Sequence, residues 1–289
     1  MSKRRKRIVL LAFAVLTLAL AWAFLSEREP SYQGRTLSEW FDHIDKGADW
    51  SASAETVVRS FGTNAIPISL KWIKNEDSFL RQKIAALVEW LHPPLIPGLQ
   101  PYRHKCADQA VFVFEVLGVQ AHAAIPELTR LALTSSDPVR ADRCVTALSF
   151  IGPQALPSFL ILITNGPTHT RSSAVSLVRY FQEPEAAVPV LTQCLDDKDS
   201  SLADKAAETL SSIAGRCAVI QDLTNAMRYL SSQGRVRAIE SIHWAAPTPT
   251  DAAGALIPFL TDADFSVREA TTNVLRTMAS EVLSNAPPR

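Results

Sequence analysis

Four cysteines, six histidines and two short runs of turn acids are the residues of this chain best equipped for chemistry, and their spacing decides what each can do. Cys106, Cys144, Cys194 and Cys217 form no CxxC pair and no close-spaced set. In an oxidising compartment close thiols pair. Cys106 and Cys144 fall in second helices of neighbouring units, so a disulfide and burial as small packing residues both stay open for them. His104, Cys106 and His122 raise a metal site, but their spacing fits no standard zinc pattern. His43, His92, His169 and His243 are scattered and are expected at the surface or between helices. Asp196-Asp197-Lys198-Asp199 and Asp262-Ala263-Asp264 lack the ligand-rich spacing of a calcium loop, so they read as solvated turn acids. No nucleophile elbow, phosphate loop or HExxH motif occurs, so no catalytic, cofactor or metal residue is expected.

The elements that carry these residues repeat. Ala65-Ile66-Pro67, Ala124-Ile125-Pro126, Ala155-Leu156-Pro157, Ala187-Val188-Pro189 and Leu256-Ile257-Pro258 each open a short apolar helix, followed by a polar turn and an amphipathic second helix. Pro126, Pro157 and Pro189 are 31 and 32 residues apart. Arg140, Arg171, Lys205, Arg237 and Arg268 of the second helices step by 31, 34, 32 and 31. A period of this length predicts an all-α helical-hairpin solenoid, in which each unit buries its apolar face only against its neighbours. In the first turn of a helix a proline loses no hydrogen bond. Gly62, Gly118 and Gly152 suit the left-handed residue that ends the preceding helix.

Lys3-Arg4-Arg5-Lys6-Arg7 precedes the uncharged run Ile8 to Leu25. Its eighteen residues make about 27 Å of helix, enough to cross a thin bilayer core. The basic cluster places the N-terminus in the cytoplasm and the rest outside, in the periplasm of a bacterium. Ala19-Leu20-Ala21 and Ala21-Trp22-Ala23 also fit signal-peptidase sites, so a retained inner-membrane anchor and a cleaved, secreted form both stay open. Five of the 29 basic residues lie in that cluster, leaving 24 against 29 acids, a net of −5 for the rest. Phosphate binding needs a concentrated basic face, so nucleic acid is not an expected partner.

The hydrophobic fraction of 47% is that of a folded domain. One continuous domain is expected over 36–283, between a spacer at 26–35 and a polar tail at 284–289. Thr36 with Glu39 makes a capping box for the helix of Leu37, Trp40, Phe41 and Ile44, and 54–61 closes this cap at 36–61. The units fall at about 62–91, 92–117, 118–151, 152–181, 182–214, 215–247 and 248–283. In the second of these, the proline-rich 92–101 replaces the first helix. Trp22 is expected at the membrane interface, and Trp40, Trp50, Trp72, Trp90 and Trp244 in core or cap.

Asp137-Pro138-Val139-Arg140 and Asp264-Phe265-Ser266-Val267-Arg268 resemble the HEAT-repeat motif, and Asn75-Glu76-Asp77-Ser78-Phe79-Leu80-Arg81 resembles it loosely. The stretch Tyr32-Gln33-Gly34-Arg35-Thr36-Leu37-Ser38-Glu39-Trp40, followed by Gly62-Thr63-Asn64-Ala65-Ile66-Pro67, is similar to exported HEAT-repeat proteins of Verrucomicrobia-like bacteria. This resemblance implies a right-handed α-α superhelix that binds a protein partner without chemistry of its own. An envelope component that self-associates or binds cell-wall polymer stays open as a second reading. Bilin lyases share related repeats, which makes a lyase-type enzyme a third.

Arg81, Arg140, Arg171, Lys205, Arg237 and Arg268 recur near the start of each second helix, beside Asp77, Asp137, Asp199 and Asp264. Either each base bonds a turn acid or carbonyl and orients the stack, or the row forms a basic stripe for an acidic partner.

Overall fold

The computed structural model describes residues 29–44, 50–74, 99–213, 218–245 and 249–284. The expected membrane helix Ile8 to Leu25, the helix at 79–91, most of the proline-rich stretch, Arg81, Cys217, Trp22, Trp90 and His92 lie outside the described residues. Secondary structure within them is helical apart from one two-stranded ribbon. Two compact units divide between Ile68 and Ser69. That division falls inside a helix, not at a linker, so composition gave no sign of it and one continuous domain was expected.

The first unit opens with β1 (Ser31–Tyr32) paired antiparallel to β2 (Arg35–Thr36). Gln33 and Gly34 between them have φ of 50° and 80°, the double left-handed turn that matches strand twist. The expected spacer is therefore partly structured, and order begins before Thr36. Glu29 is tied in as well, its Oε2 accepting from the Ser38 hydroxyl at 2.6 Å. Helix α1 (Leu37–Ile44) starts on the expected capping box. The Thr36 N–H donates to Glu39 Oε2 at 2.8 Å, and the Glu39 N–H donates to Thr36 Oγ1 at 3.3 Å. Helix α2 (Trp50–Phe61) packs on α1 and begins four residues before the predicted start at 54. Leu37, Phe41, Ala54, Val57, Val58 and Phe61 close the core between them. Each fully buried large side chain is worth about 1.5–3 kcal/mol.

Helix α3 (Ile66–Lys74) follows Gly62, whose φ of 55° ends α2 as expected. The second unit continues with α4 (Leu99–Leu117), α5 (Ile125–Thr134), α6 (Pro138–Ile151), α7 (Leu156–Asn165) and α8 (Thr168–Leu177). It ends with α9 (Val188–Cys194), α10 (Ser200–Ile213), α11 (Ala218–Ala226), α12 (Ser232–Ala245), α13 (Pro249–Leu256) and α14 (Phe265–Ser284). Hairpin partners pack together, as α5 with α6 and α9 with α10. The second helices α4, α6, α8, α10, α12 and α14 also pack each on the next, and the first helices α5, α7, α9, α11 and α13 do the same. Two layers of helices result, each formed by the same member of every pair.

The seams explain why this sequence stacks. Ala107, Ala110, Ala141, Ala174, Ala203, Ala206 and Ala238 are fully buried on second helices, letting backbones come close. Thr209 Oγ1 donates to Val175 O at 3.1 Å and Ser241 Oγ donates to Ala207 O at 3.1 Å, both across second-helix seams. Phe159 and Phe181 meet edge to face at 4.7 Å.

Two prolines behave otherwise than expected. Pro101 lies inside α4, in its first turn, where no backbone bond is lost. Pro258 does not open a helix. The first helix of the last pair ends at Leu256, and Pro258 falls in a 3-10 segment, Ile257–Thr261. Without an N–H, Pro258 cannot continue the α pattern from upstream.

Candidate interaction surface

The chemistry-bearing residues gather where each second helix begins. Asp137 caps α6 by accepting the Val139 N–H at 3.0 Å, Asp199 caps α10 through Ser201 N at 3.0 Å, and Asp264 caps α14 through Ser266 N at 2.9 Å. Two residues before each cap stands another acceptor. Ser135 Oγ takes the Asp137 N–H at 3.1 Å, Asp197 Oδ1 takes the Asp199 N–H at 3.0 Å, and Asp262 Oδ1 takes the Asp264 N–H at 2.9 Å. The same turn is thus built three times, with Ser or Asp at its first position.

The basic residues fall into two registers relative to the caps. Arg171, Arg235 and Arg268 stand one turn past the cap and bind carbonyls that end their own first helix or turn. Arg171 Nε donates to Ile163 O at 2.8 Å, Arg235 Nη1 to Leu230 O at 2.8 Å and Arg268 Nη1 to Asp262 O at 2.7 Å. Two of them reach on into the next pair. Arg171 Nη2 donates to Asp197 Oδ2, and Arg235 bonds Asp262 at 3.0 Å. Arg140 sits one residue earlier and donates to Ser135 Oγ at 3.1 Å.

The second register lies half a turn on and links second helices directly. Arg143 Nε donates to Asp108 at 3.0 Å, Ser173 Oγ to Asp142 at 2.8 Å, Lys205 Nζ to Ser172 Oγ, and Arg237 Nε to Asp204 at 2.8 Å. Arg237 Nη1 also donates to Leu195 O at 3.1 Å. The expected row of Arg140, Arg171, Lys205, Arg237 and Arg268 therefore mixes the two registers, because the period alone tolerates a slip of two or three residues. Arg143 and Arg235 were missed for the same reason; counting from the cap residue finds both.

The turn acids are not merely solvated, as expected from sequence, but bonded. Asp196 accepts the Ser231 N–H at 2.7 Å and the Ser231 hydroxyl. Gly234 leaves the carboxylate room, since a Cβ there would stand 2.1 Å from Asp196 Oδ1 and push that side chain aside. The Ser232 hydroxyl, then the Ser266 hydroxyl and amide, hold the Asp264 carboxyl down at about 2. Burial raises the Asp197 carboxyl, but the Arg171 bond and charge with the Asp199 amide outweigh it and leave the group below the ordinary carboxylate value. Burial pushes the Cys194 thiol up against the opposing pull of Arg171.

Exposure differs sharply within the rungs. Asp108, Asp204 and Glu208 are 68%, 67% and 68% exposed, whereas their partners Arg143, Arg237 and Arg179 are 12%, 13% and 29% exposed. Asp142 is exposed too. The guanidinium groups lie down in the seams and the carboxylates stand above them.

Cys106, Cys144 and Cys194 are buried thiols, so Cys106 and Cys144 are not disulfide-bonded although α4 and α6 are neighbours. His122 is exposed, and its Nδ1, when protonated, donates to Val119 O, 3.3 Å away. Among the described residues, no group of three His, Cys, Asp or Glu side chains could hold a metal ion. Among them, too, one run, Cys106–Thr134, is long and apolar enough to cross a membrane. It is broken at Gly118, where φ is 51°, into α4 and α5.

No family model and no curated protein matches the chain. A crystal structure described as an engineered protein is similar at 17% identity and a TM-score of 0.33, over 84% of this chain and 96% of that one. A likeness this weak says nothing about fold or function.

Proposed function

We propose that the chain is a noncatalytic HEAT-like α-solenoid, a right-handed superhelix held at the cell envelope by the helix Ile8 to Leu25, whose second-helix layer binds a protein partner. The observation that carries this reading is the asymmetry of the rungs. Arg140, Arg171, Lys205, Arg237 and Arg268 each bond a carbonyl, hydroxyl or acid within the stack, which supports an ordering role over a basic stripe. The carboxylates of Asp108, Asp142, Asp204 and Glu208, on α4, α6 and α10, are the more exposed members of their rungs, and the partner segment that complements them is basic.

Capture from crosslinked envelope by the full-length chain tests the reading. One stoichiometric protein is expected, and Asp142→Lys with Asp204→Lys should reduce its capture about tenfold, as reversed rim charges do. Capture of polymer alone, or of further copies of the chain alone, would replace the scaffold with a structural role. A reporter fused after Arg289 should be active only outside the inner membrane, and cytoplasmic activity would overturn the placement. The mass of the mature chain separates a retained anchor from loss of about 21 to 23 residues.

A further inference from the structure

The first unit holds an open cleft of about 540 Å³, lined by Tyr32, Gln33, Trp40, His43, Ile44, Ser53, Thr56, Val57 and Ser60. That volume lies within the range of small-molecule sites, roughly 300–1,000 Å³. Its walls are one face of α2, which carries Ser53, Thr56 and Ser60 at helical spacing, and the turn and helix that carry Gln33 and Trp40. Trp40 is fixed in place. Its indole N–H donates to Tyr32 O at 3.0 Å, Arg35 lies over the ring at 5.1 Å from its centre, and His43 meets it edge-on at 6.3 Å.

The polar groups of the cleft decide the ligand's chemistry. The Thr56 hydroxyl donates to Ala52 O at 3.0 Å and the Ser60 hydroxyl to Thr56 O at 2.9 Å, so the oxygen of each is left to accept. Gln33 Nε2 donates to the Tyr32 hydroxyl at 3.2 Å, leaving the amide oxygen as an acceptor. With the indole N–H committed, the lining offers an aromatic surface, acceptors at Thr56, Ser60 and Gln33, and donors at the Ser53 and Tyr32 hydroxyls and the second Gln33 N–H. A matching ligand is neutral, rich in hydroxyls that both donate and accept, and flat on one side. A proline-rich peptide brings acceptors without donors and leaves the Thr56 and Ser60 oxygens unmatched; for a carboxylate or phosphate the lining holds no Lys or Arg.

We propose that this cleft binds a neutral sugar ring of an oligosaccharide, stacking it beside Trp40 and accepting its hydroxyls at Thr56, Ser60 and Gln33. The site belongs to the first unit and does not rest on the scaffold reading. The test is calorimetric titration of the full-length chain, in a detergent without a sugar headgroup, with cellotetraose and with the tetramer of N-acetylglucosamine. Saturable binding to at least one is expected. Trp40→Ala should weaken it about tenfold or more, as loss of an aromatic anchor does. Thr56→Val, on an exposed helix face, should weaken it roughly three- to tenfold with an unchanged melting temperature, and it keeps the test decisive if Trp40→Ala does not fold. Tyr229→Ala, remote in sequence and outside the lining, should change nothing. Absence of saturable binding to either tetrasaccharide would overturn the proposal. So would full binding by Thr56→Val, or Trp40-dependent binding of an oligoproline peptide in place of the sugars.

Discussion

Removing either partner of the Arg171–Asp197 pair should loosen the stack by an amount that one thermodynamic cycle can read. The two side chains are 21% and 17% exposed, so solvent screens them far less than it screens a surface pair. Arg171→Ala removes the bond to Asp197 and the 2.8 Å bond to Ile163 O, and leaves a half-buried carboxylate and carbonyl behind. A charge-assisted bond contributes about 1.5–3 kcal/mol, so a loss of about 2–3 kcal/mol is expected. Asp197→Ala also removes the acceptor of the Asp199 N–H, a loss of about 1–2 kcal/mol. Because both changes delete the same interaction, the double variant should cost less than the sum by about 1 kcal/mol. In a chain of this size each kcal/mol moves the melting midpoint by about 2–4 °C. Urea and thermal melts of the two single variants and the double variant supply the cycle. Additivity within about 0.5 kcal/mol would refute the coupling. The pH dependence has a definite sign. The Asp197 carboxyl titrates below its ordinary 3.8, so its contribution is complete above that value and is lost as pH falls through the lower folded value.

Asp264 should titrate by carbon-detected NMR with a midpoint at about 2, its contribution to stability present above 3.8 and lost as pH falls toward 2; a midpoint at 3.8 would show that the Ser232 and Ser266 bonds do not form. Ser232→Ala should raise that midpoint, since the Ser232 hydroxyl is the largest cause of the shift. Gly152, with φ 91° and ψ −154°, occupies a region essentially closed to other residues, so Gly152→Ala should cost about 1–3 kcal/mol in chemical denaturation. Gly118 is in the left-handed region that asparagine tolerates, so Gly118→Asn should cost clearly less, and an equal loss at both sites would contradict the distinction.

Much of this architecture can be read from residues in order. The proline-led first helices, the capping box at Thr36 and the positive φ at Gly62, Gly118 and Gly152 follow from local chemistry that tertiary contacts do not override. Pro258 shows where such reading fails: the same Ile-Pro pair that opens α5 disrupts the end of a helix in the last unit, because Pro249 had already started one upstream. The rungs were only half legible. A period of 31 to 34 residues locates a basic residue to within a turn, but its partner depends on the register across a seam. Arg140 bonds Ser135 Oγ in its own turn, where Asp137 caps α6. Nor does sequence reveal that the acids of a rung stand outward while its bases lie flat. The two-residue strands around Gln33-Gly34 escaped notice because such short strands carry no alternating pattern.

A photo-crosslinking side chain placed at Asp204 of the full-length chain, in its own envelope, tests the central claim most directly. The account predicts a single protein adduct whose mapped peptide is rich in Lys and Arg. A matching substitution at Ile161, exposed on a first helix, should give none. No adduct at Asp204, or the main adduct at Ile161, would contradict the assignment of the acidic second-helix layer as the binding face.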